Sequence, residues 1–405
     1  MEENSKLPLP EAFLNFLKVN GIDPSIYTAS DTVPRYIRLK PGNEAFIGEI
    51  EAEIKCKLEK VDWLAGFHSL PPDIQIANST AYQQGQIYGI DAASGAAVSA
   101  LDISQGDHVL DLCAAPGAKL CMILDLLGDS GSVTGVDIAR HRLAATRTML
   151  QKYGLGERCR LFVADGTMFS LVPVNLQSPL ISCKCHQPIE SASEDKNNIF
   201  VEWTSRRPWK ERKKAAKLRK NMASKSVTAN KHPELIFYGQ HSGVVGLRKS
   251  ELFDAVYSTE ISHRGYDKVL VDAECTHDGS IRHIQKFEHW GWTTLQRRVL
   301  DAERTDRSLT TLQLKLLTNG FRLLRPGGSL VYSTCSLTVA QNEDVVEQFL
   351  KGNPSAELQD IDAAKDWPCK KGKIPKTWRF DPLTSQTSGL FVAKFRKLPV
   401  EPSPP

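Results

Sequence analysis

Apolar positions along the chain follow two different rhythms, and the change comes near residue 108. Before it, Ala12, Phe13, Leu14, Phe16 and Leu17 cluster at helical spacing, Tyr36 to Leu39 reads as a strand, and a charged, alternating run extends from Ile50 to Lys60. These patterns predict a small α+β unit over residues 1–75. From His108 onward strand-like and helix-like stretches alternate. His108 to Leu112 is an apolar strand, and the helix after it carries Leu120, Ile123, Leu124 and Leu127 on one face. Ser132 to Asp137 is a second strand, followed by a helix through Arg142, Leu143, Thr146 and Leu150, and Arg160 to Asp165 is a third.

The alternation stops between residues 170 and 262 and resumes with a fourth strand, Tyr266 to Asp272. Loops longer than about 15 residues are uncommon inside compact domains, so 170–262 reads as an insertion, disordered in part. An amphipathic helix carrying Leu309, Leu312, Leu316, Phe321 and Leu324 ends at Arg325-Pro326-Gly327-Gly328, where proline and glycine cannot continue it. Ser329 to Cys335 is a fifth strand, Asn342-Glu343 opens a helix from Val345 to Leu350, and Gly389 to Phe395 closes the series. Strands alternating with helices of this length predict an α/β fold with a doubly wound, mostly parallel Rossmann-like sheet. The expected parts are an N-terminal unit at 1–75, one α/β domain formed by 76–169 and 263–400, and the insertion at 170–262.

Charge alters this picture in one place. The 51 Lys and Arg nearly balance 47 Asp and Glu, a net +4 that excludes a uniformly basic nucleic-acid coat or an acidic tail. Yet Arg206 to Lys231 holds eleven basic residues and one acid, a net +10 that leaves −6 for the remainder. No stretch approaches the roughly 18 apolar residues of a membrane span, and the start lacks a basic region followed by an apolar core. A soluble, non-secreted monomer is expected. Nine cysteines, odd in number and scattered, point to a reducing compartment. Cys183-Lys184-Cys185-His186 lacks a second ligand pair at zinc spacing, so no metal is assigned.

In open α/β sheets ligands bind beyond the carboxyl ends of the strands, and here those ends carry Asp111, Asp137, Asp165, Asp272 and Cys335. The first turn, Cys113-Ala114-Ala115-Pro116-Gly117-Ala118-Lys119, is small enough for backbone to approach a ligand at a helix N-terminus, but one glycine and a proline suit a pyrophosphate poorly. Asp137 stands where an acid commonly holds ribose hydroxyls, and Asp165 is placed to accept from an adenine amino group. A nucleoside cofactor without a pyrophosphate fits this set, and S-adenosylmethionine is the expected one. The competing reading is that these acids cap helices.

Cys275 and Cys335 also fall where core strands meet this crevice, whereas Cys56, Cys113, Cys121, Cys159 and Cys369 read as packing. A partly exposed thiol near a helix N-terminus is a nucleophile candidate. Carbon 5 of a pyrimidine becomes nucleophilic once a thiolate adds at carbon 6, and an acid near N3 stabilises that adduct. Cysteine and aspartate beside a methyl donor therefore suggest pyrimidine C5 methylation.

At these residues the sequence resembles the NOP/Sun (RsmB-like) family of S-adenosylmethionine-dependent RNA cytosine-C5 methyltransferases. Asp111 to Lys119, DLCAAPGAK, looks like the family's cofactor motif DLCAAPGGK, with Ala118 in place of its second glycine. Leu324 to Gly328 leading to Tyr332-Ser333-Thr334-Cys335-Ser336 is similar to its PGG…YSTCS element, Asn342-Glu343 to its NE pair, and Arg142 falls on its helix arginine. The resemblance spans about residues 80–169 and 263–396. It implies that Cys335 attacks carbon 6 and that Cys275 assists product release. It also implies that residues 113–119, Asp137, Asp165 and Asp272 hold S-adenosylmethionine, with Asp272 reaching the target base as well, and that the N-terminal unit docks RNA. One departure stands out: the family's DAPCS is Asp272-Ala273-Glu274-Cys275-Thr276 here. Proline fixes φ, so Glu274 frees that turn and adds a charge that either points to solvent or accepts from the cytosine amino group. Activity is expected to be retained, with altered turnover or release.

The basic block supplies phosphate contacts, and Trp203 and Trp209 beside it supply stacking surfaces. The same run looks like a nuclear-import signal, which points to the nucleus or nucleolus, with the cytoplasm as the alternative. A solvated loop is the plain reading of such a run. The expected partner is RNA, tRNA or rRNA. Methylation of another atom by a similar fold is a second reading, which the paired cysteines disfavour. A catalytically weakened family member acting as an RNA-binding or ribosome-assembly factor is a third.

Overall fold

The computed structural model describes residues 9–28, 33–173, 199–201, 233–254, 265–295 and 308–399. The Cys183-Cys185-His186 run, the basic block 206–231, Trp203 and Trp209 lie outside the described residues.

Four short strands, β1 (Arg35–Leu39), β2 (Glu59–Lys60), β3 (Phe67–Leu70) and β4 (Ile87–Gly89), form an antiparallel sheet in the order β2-β3-β1-β4. One face puts Tyr36, Phe67 and Tyr88 against the apolar helix Ala92–Ser99, and the other packs Ile37, Leu39, Leu70 and Ile87 on Ile50. The small sheet therefore reaches Gly89, beyond the boundary expected at residue 75. Its last strand has only three residues, too few for an alternating pattern to register.

The main sheet continues with β5 (His108–Asp111), β6 (Ser132–Asp137), β7 (Cys159–Val163), β8 (Glu234–Tyr238), β9 (Tyr266–Asp272), β10 (Leu324–Thr334), β11 (Ala356–Gln359), β12 (Lys370–Lys371), β13 (Thr377–Phe380) and β14 (Leu390–Lys397). Its order is β12-β13-β14-β10-β9-β5-β6-β7-β8, with β11 also beside β14. The five strands from β10 to β7 are parallel, while β8 and β14 run antiparallel at either side. This is the expected α/β architecture.

Successive residues of the parallel strands bury on opposite faces. Val109, Leu161, Leu270 and Val331 face the helices Ala118–Leu127 and Arg140–Tyr153. Leu110, Phe162, Val271 and Tyr332 face the helices Leu309–Leu323 and Glu343–Gly352. Burial on both faces is why these strands read as nearly continuous apolar runs. The chain leaves β5 toward β6 on one side and returns through β9 on the other, so the crevice between the ends of β5 and β9 is the topological switch point.

Two further departures from the sequence expectation concern the flanks. The strand β8 and the helix Lys249–Asp254 belong to the α/β core, although they lie inside the segment read as an insertion. The N-terminal helix Glu11–Val19 buries Phe13 and Leu17, with Ile26 and Tyr27, against Ile281, Ile284 and Phe287 of the helix Ile281–Trp290. It thus packs on the large domain, next to the loop after β9, and Tyr27 Oη donates to the carbonyl of Asp278 at 2.7 Å.

Candidate active site

The loop after β5 is fastened to the end of β6. Ala114 N–H donates to the Val136 carbonyl at 2.9 Å, and the two Asp137 oxygens accept from Ala115 and Ala139 N–H at 3.2 and 2.8 Å. Arg142 donates to the Ala115 carbonyl at 2.7 Å and lies 4.0 Å from Asp137. Asp137 and Arg142 therefore shape the loop in addition to bordering the crevice. Gly117 has φ +113°, and a Cβ there would meet Thr146 Cγ2 at 2.8 Å, so the glycine serves helix packing. Ala118 opens the helix that carries Lys119. Asp165 is exposed beyond β7 and accepts from the N–H and hydroxyl of Thr167 at 2.9 and 2.7 Å.

Across the switch point, Asp272 at the end of β9 accepts from Lys119 Nζ and from Ser333 Oγ, both at 2.8 Å. Asp111 lies buried beside it. Burial first, then the charge of Asp272, pushes the Asp111 carboxyl up to about 7. Burial lowers the Lys119 ammonium, but its contact with Asp272 outweighs this and leaves it above the ordinary range.

The two cysteines that sequence reasoning singled out come together. Cys275 Sγ and Cys335 Sγ are 3.4 Å apart. The sequence reading missed the group that joins them. His277, two residues after Cys275 in left-handed backbone with φ +56°, places Nδ1 at 3.0 Å from Cys335 Sγ and 3.8 Å from Cys275 Sγ. Burial raises the Cys275 thiol, but the hydrogen bond with Cys335 and the charge of His277 overcome this and hold it well below the ordinary thiol range. The hydrogen bond to Cys275, reinforced by burial, holds Cys335 well above that range. His277 is raised, first by the charge on Cys275. Of the two sulfurs, Cys275 is thus the one disposed to ionise and Cys335 the one disposed to keep its proton.

A buried polar frame fixes both cysteine loops. Thr276 N–H donates to Gln341 Oε1 at 3.1 Å, Leu337 N–H donates to Asp278 Oδ2 at 2.7 Å, and Asn342 donates to the carbonyls of Ser336 and Thr338, both at 2.8 Å. Gln313 donates to the Glu274 carbonyl at 2.8 Å, which holds the turn where the family motif has proline. The Glu274 side chain is exposed.

The chain matches the family described as 16S rRNA methyltransferase RsmB/F over residues 98–185 and 246–396, more than half its length. The chain belongs to the RsmB/F methyltransferase family. It is 26% identical to the rRNA (cytosine-C(5))-methyltransferase NOP2C of Arabidopsis thaliana, over 77% of this chain and 53% of that protein. It is 23% identical to the probable ribosomal RNA small subunit methyltransferase B of Bacillus subtilis, over 80% of this chain and 50% of that protein. The chain spans about half the length of these curated relatives. Among solved structures, NSun6 from Pyrococcus horikoshii with SFG aligns at TM-score 0.60 and 15% identity, covering 96% of this chain and 99% of that one. A methyltransferase homolog protein from the same organism aligns at TM-score 0.57 and 21% identity, covering 96% of this chain and 100% of that one. Both share the RsmB/F chain's fold.

The cofactor of the RsmB/F family is S-adenosylmethionine, and the residues present fit it. Asp111, Asp137 and Asp272 crowd three carboxylates into one crevice, and their mutual repulsion is part of what raises Asp111. A ligand carrying an ammonium and a sulfonium relieves that repulsion. Ile138 and Met168, 71% and 76% exposed, follow the neighbouring strands β6 and β7 and present apolar side chains there.

Proposed function

We propose that this chain transfers a methyl group from S-adenosylmethionine to carbon 5 of a cytosine in RNA through a covalent Cys335 adduct. The observation that carries this reading is the pair of cysteine sulfurs 3.4 Å apart beyond the neighbouring ends of β9 and β10. N-methylation needs no such pair.

Residues 113–119, Asp137, Asp165 and Asp272 would hold the cofactor, which supplies an electrophilic methyl group on a sulfonium. Cys335 Sγ forms the bond to carbon 6 and makes carbon 5 nucleophilic. Asp272, held as a carboxylate by Lys119 and Ser333, would orient the ring by accepting from the cytosine amino group. After methylation the carbon 5 proton would pass to solvent water as the C–S bond breaks and the Cys335 thiolate leaves, and Cys275 assists that release.

RNA as the substrate is supported by the chemistry beside the site and by the relatives, among them an rRNA (cytosine-C(5))-methyltransferase. A cleft of about 450 Å³ between the small sheet and the large domain is lined by Arg35, Tyr82, Arg282 and Ser388. Ser280 and Ser388 of that wall neighbour Gly279 and Gly389, whose backbones connect to Cys335. Either tRNA or rRNA suits this arrangement, and the +10 segment 206–231 supports a nuclear destination and further phosphate contacts.

Labelled S-adenosylmethionine and total RNA, followed by bisulfite sequencing, test the proposal. Cys335→Ala should abolish 5-methylcytosine, and Cys275→Ala should accumulate protein-bound RNA. Unchanged cytosine methylation by Cys335→Ala defeats the mechanism. Absence of methylation by the wild type with RNA binding intact indicates an assembly factor instead.

A further inference from the structure

A thiol that must attack carbon 6 has to lose its proton first, and the surroundings of Cys335 oppose that loss. Its sulfur is enclosed by Cys275 at 3.4 Å and His277 at 3.0 Å, with Asp272 on the neighbouring strand. Asp272 is already committed to Lys119 and Ser333. Among the described residues, His277 is the nitrogen base in contact with the sulfur.

We infer that His277 is a catalytic base, which takes the first proton from the Cys275–Cys335 dithiol and leaves the pair as a monothiolate beside an imidazolium. This inference rests on the proposed covalent mechanism. The step balances. One S–H bond breaks, the proton forms an N–H bond at His277 Nδ1, and the sulfurs keep one negative charge and one shared proton. As Cys335 Sγ bonds to carbon 6, the shared proton passes from Cys335 Sγ to Cys275 Sγ, 3.4 Å away. The electron pair of the new C–S bond comes from the thiolate.

Three observations beyond the contact distance favour this role. His277 occupies left-handed backbone, φ +56°, which a β-substituted residue adopts at a cost and which turns its ring toward the thiols. The loop that holds it is pinned on both sides, by Gly279 N–H on the Cys335 carbonyl and by Leu337 N–H on Asp278. The charges facing it favour an imidazolium: Cys275, Asp272 and Glu274 from β9 and its loop raise it. His283, from the helix Ile281–Trp290, packs its ring at 4.9 Å, and Lys119 faces Cys335 from the helix Ala118–Leu127.

The test needs neither RNA nor methyl transfer. The rate of iodoacetamide alkylation at Cys275 and Cys335 is followed from pH 5.5 to 9.5 by mass spectrometry on the full chain. In the wild type alkylation should persist at pH 6.5. In His277→Asn, which tolerates the same backbone, it should fall about tenfold or more at pH 6.5 and recover near the ordinary thiol value of about 8.5. His277→Gly, free of backbone cost, should behave alike, and circular dichroism verifies folding. An unchanged profile in both variants overturns the inference. RNA methylation measured in parallel tests the methyltransferase reading separately, because a low-pH thiolate with no methylated product defeats that reading and leaves the base assignment standing.

Discussion

The backbone N–H of Gly279 donates to the carbonyl oxygen of Cys335 at 2.9 Å, so the loop after β9 is clasped to the loop after β10 at the proposed nucleophile itself. Gly389 N–H extends the clasp by donating to the Gly279 carbonyl at 2.8 Å. This backbone contact ties together the two loops that carry Cys275 and Cys335.

Gly279→Ala tests the clasp. A Cβ at that position would meet the Cys335 oxygen at 2.6 Å and Gly389 at 3.1 Å, and backbone atoms cannot swing aside as a side-chain tip does. The loops must separate. We expect about 1–3 kcal/mol of destabilisation and, because misplacement on the order of 1 Å costs roughly a hundredfold in rate, a far larger loss of methyl transfer. Thermal unfolding and initial rates check the two effects. Full activity in the variant would show that the clasp does not set the thiol geometry.

Arg379 braces the same loop from β13. It donates to both carboxylate oxygens of Glu343, which is 2% exposed, and Nη1 donates to the Leu337 carbonyl at 2.7 Å. Burial raises the Glu343 carboxyl, but the Arg379 contact dominates and holds it below its usual value. Arg379→Ala leaves a buried, unpaired carboxylate and should cost about 3–5 kcal/mol. Arg379→Ala with Glu343→Gln should recover part of it, because the stranded charge is gone. Denaturant titration distinguishes the two, and equal stability of single and double variants would contradict the account.

The parts of the fold that were legible in the sequence are those buried on both sides. Leu110, Val136, Phe162, Val271 and Tyr332 lie in apolar runs because each strand has a helix layer above and below. The edges were harder. The residues Glu234 to Tyr238 form β8 within a segment whose composition is dominated by the basic block, and a strand of five residues does not offset that signal. Phe13 and Leu17 showed a helix but could not show its partner, since Ile281 and Phe287 lie far along the chain. At the site, Asp272, Cys275 and Cys335 were visible because they end a strand or follow one within three residues. His277 was not, because its contact with Cys335 spans 58 positions and depends on a left-handed turn. Its spacing two residues after Cys275 was the one available signal.

Asp111 gives the cofactor site a pH signature. Its carboxyl is raised from 3.8 to about 7 by burial first and by Asp272 second. The native state therefore binds this proton more tightly than the unfolded chain. The associated stability is fully present below the unfolded value and is lost as pH rises toward 7. A cationic ligand prefers the ionised form, so S-adenosylmethionine affinity should climb between pH 5.5 and 7, by at most about tenfold per unit, and level off above. Asp111→Asn should flatten that climb. Calorimetric titration at several pH values checks it, and an identical slope in the variant would remove Asp111 from the account.

Arg35 tests whether the cleft between the small sheet and the large domain carries RNA. Its Nε is buried without a hydrogen-bond partner, and Arg282 in the same wall is held below its ordinary range, by burial first and then by the charge of Arg35. Two guanidiniums that repel each other in a cleft form a receptive place for a phosphate, which removes the repulsion and satisfies the idle donor. Arg35→Ala should weaken binding of a single-stranded oligoribonucleotide at low salt. It should also reduce the slope of log affinity against log salt by roughly 0.7, the loss of one phosphate contact. Arg325→Ala is the matched control: Arg325 pairs with Asp267 at 2.7 Å, near the starts of β9 and β10, at the opposite edge of the sheet from Asp272 and Cys335. Fluorescence anisotropy over a salt series reads both. If Arg35→Ala and Arg325→Ala give the same slope as the wild type, RNA runs elsewhere. If both lower it equally, the effect is net charge and owes nothing to the cleft.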